Sequence, residues 1–309
     1  MQKVIVICGP TASGKTALSI ELAKRINGEV VSADSMQIYD EMSIGTAKPD
    51  EEEMQGIKHY LIGNVSPTIR YSVSDYKSDA MNAIEEIIKK NKMPIVVGGT
   101  GLYVNSLIYG IDYPEVKTDL EYREELEKIA EKEGLKHLYE KAMQIDPEAA
   151  KNISENDKKR IIRILEIYKE TGKTKTQLEI ESRKNGVPYD YRVFAINMPR
   201  EILYDRINRR VDIMIERGLI DEVKQLYEKY GEELRTAVQG IGYKEVIDYL
   251  NGVYSKDEMV EKIKMETRRY AKRQLTWFRK IQNIIWIDGL NDIQNNVDII
   301  LEEIKSEKH

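Results

Sequence analysis

The chain has 309 residues, 41% hydrophobic and 33% charged, with a net charge of −5. That length suits one large domain or a domain with an insertion, and no apolar run approaches the roughly 20 residues of a membrane span. A single cysteine, Cys8, excludes an internal disulfide and suits a reducing cytoplasm, and His59, His137 and His309 lack metal-ligand spacing.

The first strand is read over Val4, Ile5, Val6, Ile7 and Cys8, a continuous apolar run typical of a buried parallel strand. It starts almost at the first residue, which is read as leaving no room for a targeting peptide. Next come Gly9, Pro10, Thr11, Ala12, Ser13, Gly14, Lys15 and Thr16, matching G-x-x-x-x-G-K-[ST]. Leu18, Leu22 and Ile26 then share one helical face. Strand, glycine turn and helix is the setting that a phosphate-binding loop requires. Gly9 and Gly14 let main-chain N–H groups approach an anion, and the helix adds its positive end. Lys15 supplies a point charge, and Thr16 can place its hydroxyl on Mg²⁺. The loop alone leaves nucleotide, sugar phosphate and pyrophosphate open as ligands. Cys8 is expected to pack in the core beneath it.

A second strand over 29–33 delivers Asp34, Ser35, Met36, Gln37, Ile38 and Tyr39, with Gly28 expected to close the helix before it. Asp34 there can bind Mg²⁺, accept a proton or cap a turn, and Gln37 and Tyr39 can pair with or stack on a base. A short strand over 57–62 and a helix over 76–91 lead to the buried strand Ile95, Val96, Val97. That strand ends in Gly98, Gly99, Thr100 and Gly101, a turn that either admits a ligand or is simply a tight connection. It lacks the terminal aspartate that nucleotide hydrolases commonly use to hold magnesium. Three strand–turn–helix units imply a parallel α/β sheet with its ligand beyond the carboxyl ends of the strands. The phosphate loop, Asp34 and Thr100 should therefore converge.

From Tyr113 and Pro114 to about residue 186 no strand is expected. Leu120, Leu126, Ile129, Leu135 and Leu138 suggest a helical hairpin, Pro147 a helix start, and Asn156 or Asp157 the cap of a helix that Gly172 ends. The segment 173–188 reads as polar and mobile. The predicted division is a P-loop NTPase-like α/β core over 1–113 and 189–309, with flanking helices, and an all-helical insertion domain over 114–188. The core resumes with a strand over 191–197 and a helix carrying Arg206, Arg209, Arg210 and Arg217. A glycine turn follows at Gln239, Gly240, Ile241, Gly242, Tyr243 and Lys244, then a long helix over 256–281 and a last strand over 284–287.

Net acidity conceals segregated charge. Arg269, Arg273, Thr276 and Lys280 share one face of the long helix, Tyr270 and Trp277 interleave aromatics, and no carboxylate occurs over 267–286. Lys158, Lys159, Arg160 and Arg163 form a second basic cluster. Either a solvated surface or a polyanionic substrate explains them. Arg123 and Arg210 are open to the same two readings.

Together these strings resemble one family, the bacterial tRNA dimethylallyltransferases, also called tRNA isopentenyltransferases. The resemblance rests on the phosphate loop, Asp34 to Tyr39, Gly98 to Tyr103, Asp157 to Arg163, Gln239 to Lys244 and the Thr267 to Trp277 string, and it spans nearly the whole chain. It implies transfer of a dimethylallyl group from dimethylallyl diphosphate to N6 of adenine 37 in the tRNA anticodon stem-loop. By similarity, Gly9 to Thr16 and Arg210 hold the diphosphate, and Thr16 assists Mg²⁺. Asp34 takes the N6 proton, while Thr100 and Arg123 stabilise the leaving group. The resemblance assigns tRNA contacts to Asp34, Ser35, Met36, Gln37, Lys159, Arg160, Ile161, Ile162, Arg163, Gln239, Gly240, Ile241, Gly242, Tyr243, Lys244, Arg269, Arg273 and Lys280. The expected enzyme is a cytoplasmic monomer that needs no membrane. A small-molecule P-loop kinase and a nucleotide-gated RNA-binding protein are the alternatives, and ATP hydrolysis or a phosphorylated product would favour them.

Overall fold

The structure, a computed structural model, describes residues 1–113, 119–184, 186–234 and 237–306. Two compact units emerge, Met1–Val104 with Pro188–His309, and Asn105–Val187. The second unit thus begins nine residues before the expected break at Pro114, and Pro114 itself lies outside the described residues, as does His309.

In chain order, β1 (Lys3–Cys8) leads through the phosphate loop into α1 (Lys15–Ile26), and β2 (Gly28–Ser32) follows. The short helix α2 (Glu51–Met54) and strand β3 (His59–Tyr60) precede α3 (Val73–Lys89), β4 (Met93–Gly98) and α4 (Gly101–Ile108), which crosses into the second unit. That unit contains α5 (Leu120–Lys132), α6 (Leu135–Ile145), α7 (Pro147–Lys151), α8 (Lys158–Thr171) and α9 (Lys175–Arg183). The first unit resumes with β5 (Asp190–Asn197), α10 (Arg200–Glu216), α11 (Leu219–Tyr230), α12 (Tyr243–Leu250), α13 (Lys256–Phe278), β6 (Ile285–Asp288) and α14 (Ile293–Lys305).

The six strands form one parallel sheet in the order β3-β2-β4-β1-β5-β6. Central β1 pairs Cys8 with Gly98 of β4 and with Ala195 of β5. These strands are buried on both faces, which is why they read as unbroken apolar runs. Ile5, Ile7, Leu22, Ile95, Phe194 and Val297 pack one core. On the other side of the unit, Tyr39, Met42, Val223, Tyr243 and Ile263 pack another. Within the second unit, Leu126, Leu138, Ala142, Ile161, Ile162 and Leu165 form a separate core among helices.

Several boundaries differ from expectation for visible reasons. The strand expected over 57–62 shrinks to two residues because Leu61 and Gly63 take positive φ and turn the chain away. Gly28 does not close α1. Asn27 does so in the left-handed conformation, and Gly28 opens β2, where a Cβ would lie 2.8 Å from Ile95. Helix α3 starts at Val73, earlier than expected, because Ser72 and Asp75 form a reciprocal capping box. The segment read as mobile contains α9. Thr174 and Gln177 cap it, and buried Asp146 accepts from both the N–H and hydroxyl of Thr176.

Candidate functional site

Adjacent parallel strands bring their carboxyl ends together, so Gly9, Asp34 and Gly99 all follow the ends of neighbouring strands. A cavity of about 340 Å³ opens there, with Lys15, Thr16, Asp34, Gln37, Arg210 and Arg273 in its wall. That volume suits a small ligand or one flipped base. A second space of about 620 Å³ adjoins the same loop and shares Lys15, Thr16, Arg210 and Met214 with the first.

The loop itself supplies the positive end. Gly14 takes φ 90 as N-cap of α1, a left-handed conformation that glycine tolerates. Lys15 donates to the Pro10 carbonyl at 2.7 Å. Burial, and then the neighbouring guanidinium of Arg210, pull the Lys15 ammonium down to about 8. Burial likewise lowers Arg210, which Asp34 partly offsets. Two cations held this close, in a partly desolvated wall, repel one another, and the carboxylates of Asp34 and Glu53 offset that only in part. Beneath them Cys8 is fully buried, as expected, and desolvation pushes its thiol up to about 12.

Asp34 has both roles left open by its sequence context. Its Oδ1 accepts from Met36 N–H at 2.9 Å and Gln37 N–H at 3.3 Å, so it caps the turn after β2. Its second oxygen has no hydrogen-bond partner among the described residues, and the residue lines the cavity. Gln37 donates to the carbonyls of Thr46 and Ala47, and Met36 packs its methyl group over Gly240. Ser35 donates its N–H to the Thr100 hydroxyl at 3.0 Å and accepts from it through Oγ at 3.3 Å. Thr100 therefore ties the β4 turn to the β2 turn, while Val97 and Gly98 form the wall from that strand.

The glycines of the β4 turn are needed by protein neighbours. A Cβ on Gly98 would sit 2.1 Å from the Ala33 carbonyl oxygen, on Gly99 2.2 Å from the Gln274 amide, and on Gly101 2.8 Å from Trp277. Close packing of Ala33 on Gly98 and of α13 on Gly99 and Gly101 accounts for the glycines of the string. Gln274 and Tyr270 are site residues that the basic pattern of α13 concealed. Gln274 is 4% exposed, and both line the cavity one helical turn apart. Burial and then the charge of Asp34 push the Tyr270 phenol up to about 12.

Of the residues assigned to tRNA by resemblance, Gln239, Gly240, Ile241 and Gly242 line the cavity. Exposed Arg269 pairs with Glu266 just upstream of the carboxylate-free run, and exposed Arg273 lies over the Tyr270 ring. Lys244 is exposed. Several assigned positions face inward or lie elsewhere. Tyr243 is in the core, where its hydroxyl donates to Glu222 at 2.7 Å, and so is Tyr39, which the sequence offered as able to stack on a base. Ile161 and Ile162 are core residues of the second unit, so their side chains hold α8 in place and face away from solvent. Lys280 lies just past the end of α13 at Phe278 and is exposed. In the second unit Lys159 and Arg160 are exposed. Arg123 forks onto buried Glu166 at 2.8 and 2.9 Å, and Arg163 lies 3.6 Å from the same carboxylate.

No group of three or more His, Cys, Asp or Glu able to hold a metal occurs among the described residues. The Thr16 hydroxyl makes no hydrogen bond among them either, and it shares the cavity wall with Asp34. This sparse oxygen donor set fits Mg²⁺ carried largely by water and a substrate's phosphates.

A family model described as IPP transferase matches residues 37–281. The chain is 54% identical over 288 residues to the tRNA dimethylallyltransferase of Acetivibrio thermocellus, covering 93% of this chain and 92% of that protein. To the tRNA dimethylallyltransferase of Bacillus cytotoxicus it is 46% identical over 299 residues, covering 97% and 94%. Among solved structures it resembles the tRNA isopentenylpyrophosphate transferase of Bacillus halodurans, with 44% identity, TM-score 0.73, and 98% and 96% of the two chains covered. It also resembles a eukaryotic dimethylallyltransferase acting on tRNA, with 34% identity, TM-score 0.82, and 100% and 82% covered. On this evidence the chain belongs to the IPP transferase family.

Proposed function

We propose that this protein transfers a dimethylallyl group from dimethylallyl diphosphate to N6 of adenine 37, beside the anticodon of tRNA, and releases diphosphate. The observation that carries the reading is the pairing of half-buried cations, Lys15 and Arg210, with the carboxylate of Asp34 around one cavity. The cations suit a leaving diphosphate, and the free oxygen of Asp34 suits an attacking amine. N6 forms the new bond to C1 of the dimethylallyl group as the C1–O bond breaks, and the diphosphate departs with the electron pair. Asp34 takes the N6 proton.

Gly9 to Thr16 cradle the diphosphate through main-chain N–H groups, with Lys15 and Arg210 offsetting the charge that grows on the leaving oxygen. Thr16, with Asp34 nearby, would hold Mg²⁺, which when bound would further neutralise the phosphates. Thr100 supports the leaving group by fixing the β2 turn and its own backbone. Ser35, Met36, Gln37 and the wall from Gln239 to Gly242 enclose an adenine that has left its stack, which a single-stranded loop permits. Exposed Arg269, Arg273, Lys159 and Arg160 contact RNA phosphates. The enzyme works as a cytoplasmic monomer.

The test is incubation with anticodon stem-loop RNA and dimethylallyl diphosphate, followed by nucleoside mass analysis. An adenosine heavier by one dimethylallyl group, absent when adenine 37 is replaced, is expected. RNA-stimulated ATP hydrolysis with unmodified RNA would refute the reading.

A further inference from the structure

We infer that Gln274 is a positioning residue that locks the phosphate loop and the β4 turn into one register. The inference rests on the transferase reading for its catalytic consequence, and on geometry for the rest. Strands β1 and β4 are neighbours paired at Cys8 and Gly98, so Gly9 and Gly99 leave the sheet side by side. Nothing in the sheet ladder controls the two loops beyond that point. One side chain bridges them. Gln274 accepts the Thr11 N–H through Oε1 at 2.9 Å and donates through Nε2 to the Gly99 carbonyl at 2.9 Å.

The amide is suited to this bridge because it offers one acceptor and a donor pair on one planar group. It is nearly fully buried, so neither loop group has water as a ready substitute. Its path is also reserved by composition, since any side chain on Gly99 would meet Nε2 at 2.2 Å. Thr11 stands in the loop proposed to hold the diphosphate. Gly99 precedes Thr100, which in turn holds Ser35 beside Asp34. A single amide on α13 therefore sets the spacing between the leaving-group loop and the turn bearing the base. The exposed face of the same helix carries Arg269 and Arg273. Loss of the bridge should thus affect chemistry and diphosphate binding without affecting RNA docking.

Gln274→Met keeps the length and apolar packing but removes both bonds. We expect kcat to fall by about tenfold or more and the Kd for inorganic pyrophosphate to rise several-fold, since two buried backbone groups lose their partner. Stem-loop RNA affinity should stay close to the parent, while Tm should fall by several degrees because two buried backbone groups lose their partner. Gly99→Ala should reproduce the loss by displacing the amide. The double variant should be no worse than the poorer single variant, because both changes break one bridge. Losses that multiply, or parent-like kcat and pyrophosphate affinity in Gln274→Met, would overturn the inference. Should Gln274→Met fail to fold, Gln274→Glu retains the size and the acceptor for Thr11, and must still lower pyrophosphate affinity. If the parent itself does not alkylate RNA, the transferase reading fails, while pyrophosphate affinity across the cycle still decides the role of Gln274.

Discussion

The pKa of Lys15 sets a pH dependence for diphosphate affinity that can be worked out before any measurement. In the free protein burial, and then Arg210, hold the ammonium at about 8, down from 10.5. A bound diphosphate places several negative charges beside it and favours the charged form, so the pKa rises in the complex. Binding therefore takes up a proton wherever the free protein has lost one. Below about pH 8 Lys15 is already charged and its contribution to affinity is flat. Above that point affinity falls by up to about tenfold per pH unit, until the pKa of the complex is reached. The ligand titrates too, so Lys15→Ala serves as the reference and the quantity of interest is the ratio of the two affinities. Calorimetry with inorganic pyrophosphate from about pH 6.5 to about pH 9.5 should show that ratio shrinking roughly fivefold between about pH 8 and about pH 9. A ratio that is constant across the range would refute the argument. Stability runs the opposite way. With the folded pKa depressed, the unfolded chain binds more protons between about 8 and 10.5. The ligand-free protein gains stability from this group as pH rises through that window.

Asp34→Asn should keep the turn, since an amide oxygen can still accept from Met36 and Gln37, but lower single-turnover transfer by about 10²–10⁴-fold. A parent-like rate would leave Asp34 as a cap only. Arg273→Ala should weaken stem-loop binding and make the log–log salt slope shallower by roughly 0.7–0.9, with Arg269→Ala similar or smaller because Glu266 already pairs it. Binding measured from low to moderate salt decides, and unchanged slopes would place the RNA elsewhere. Gly98→Ala forces a Cβ to 2.1 Å from the Ala33 carbonyl oxygen, a backbone atom with no rotamer to escape into. Denaturant unfolding should show a loss of about 1–3 kcal/mol or more.

Much of the architecture was legible because parallel strands buried on both faces leave unbroken apolar runs, and β1, β2 and β4 each end in a recognisable turn. Convergence of the phosphate loop and Asp34 follows from that pattern alone. Other features depend on partners distant in sequence. Helix α9 escapes the sequence because its segment is polar and one of its anchors is Asp146, thirty residues from Thr176. Helix α14 carried a readable signal in the Asp292 cap and the buried Val297 and Ile300, which pack on the sheet core. Gln274 was hidden because a neutral amide in a basic run reads as one more solvated polar group. Ala271, Leu275 and Phe278 already mark a second, core-packing face of this helix, and the spacing of Gln274, one turn from Tyr270 and opposite Arg269, places it beside them. Tyr243 and Ile161 were misplaced for a related reason. A family string marks which residues occur together, and it does not say which of them face the solvent.

Each string at this site divides between residues that build the backbone and residues that it leaves for a substrate, and local periodicity sets the division. On α8, Ile161 and Ile162 enter the core while Lys159 and Arg160 stay exposed, as one helical stripe must. On α13, Gln274 and Ala271 face the protein while Arg269 and Arg273 face outward. The turn after β2 achieves the same division within a single residue. One oxygen of Asp34 fixes the loop, and that restraint holds the other in the cavity wall. The structural and functional explanations of such a residue are therefore not rivals. A base that also caps its own turn is held in a defined rotamer before substrate arrives, so little side-chain entropy is lost when the reaction begins. Substitutions here must accordingly be compared at equal folded fraction. A change that merely loosens the turn lowers both stability and rate, whereas Asp34→Asn, which keeps the acceptor, should lower the rate alone.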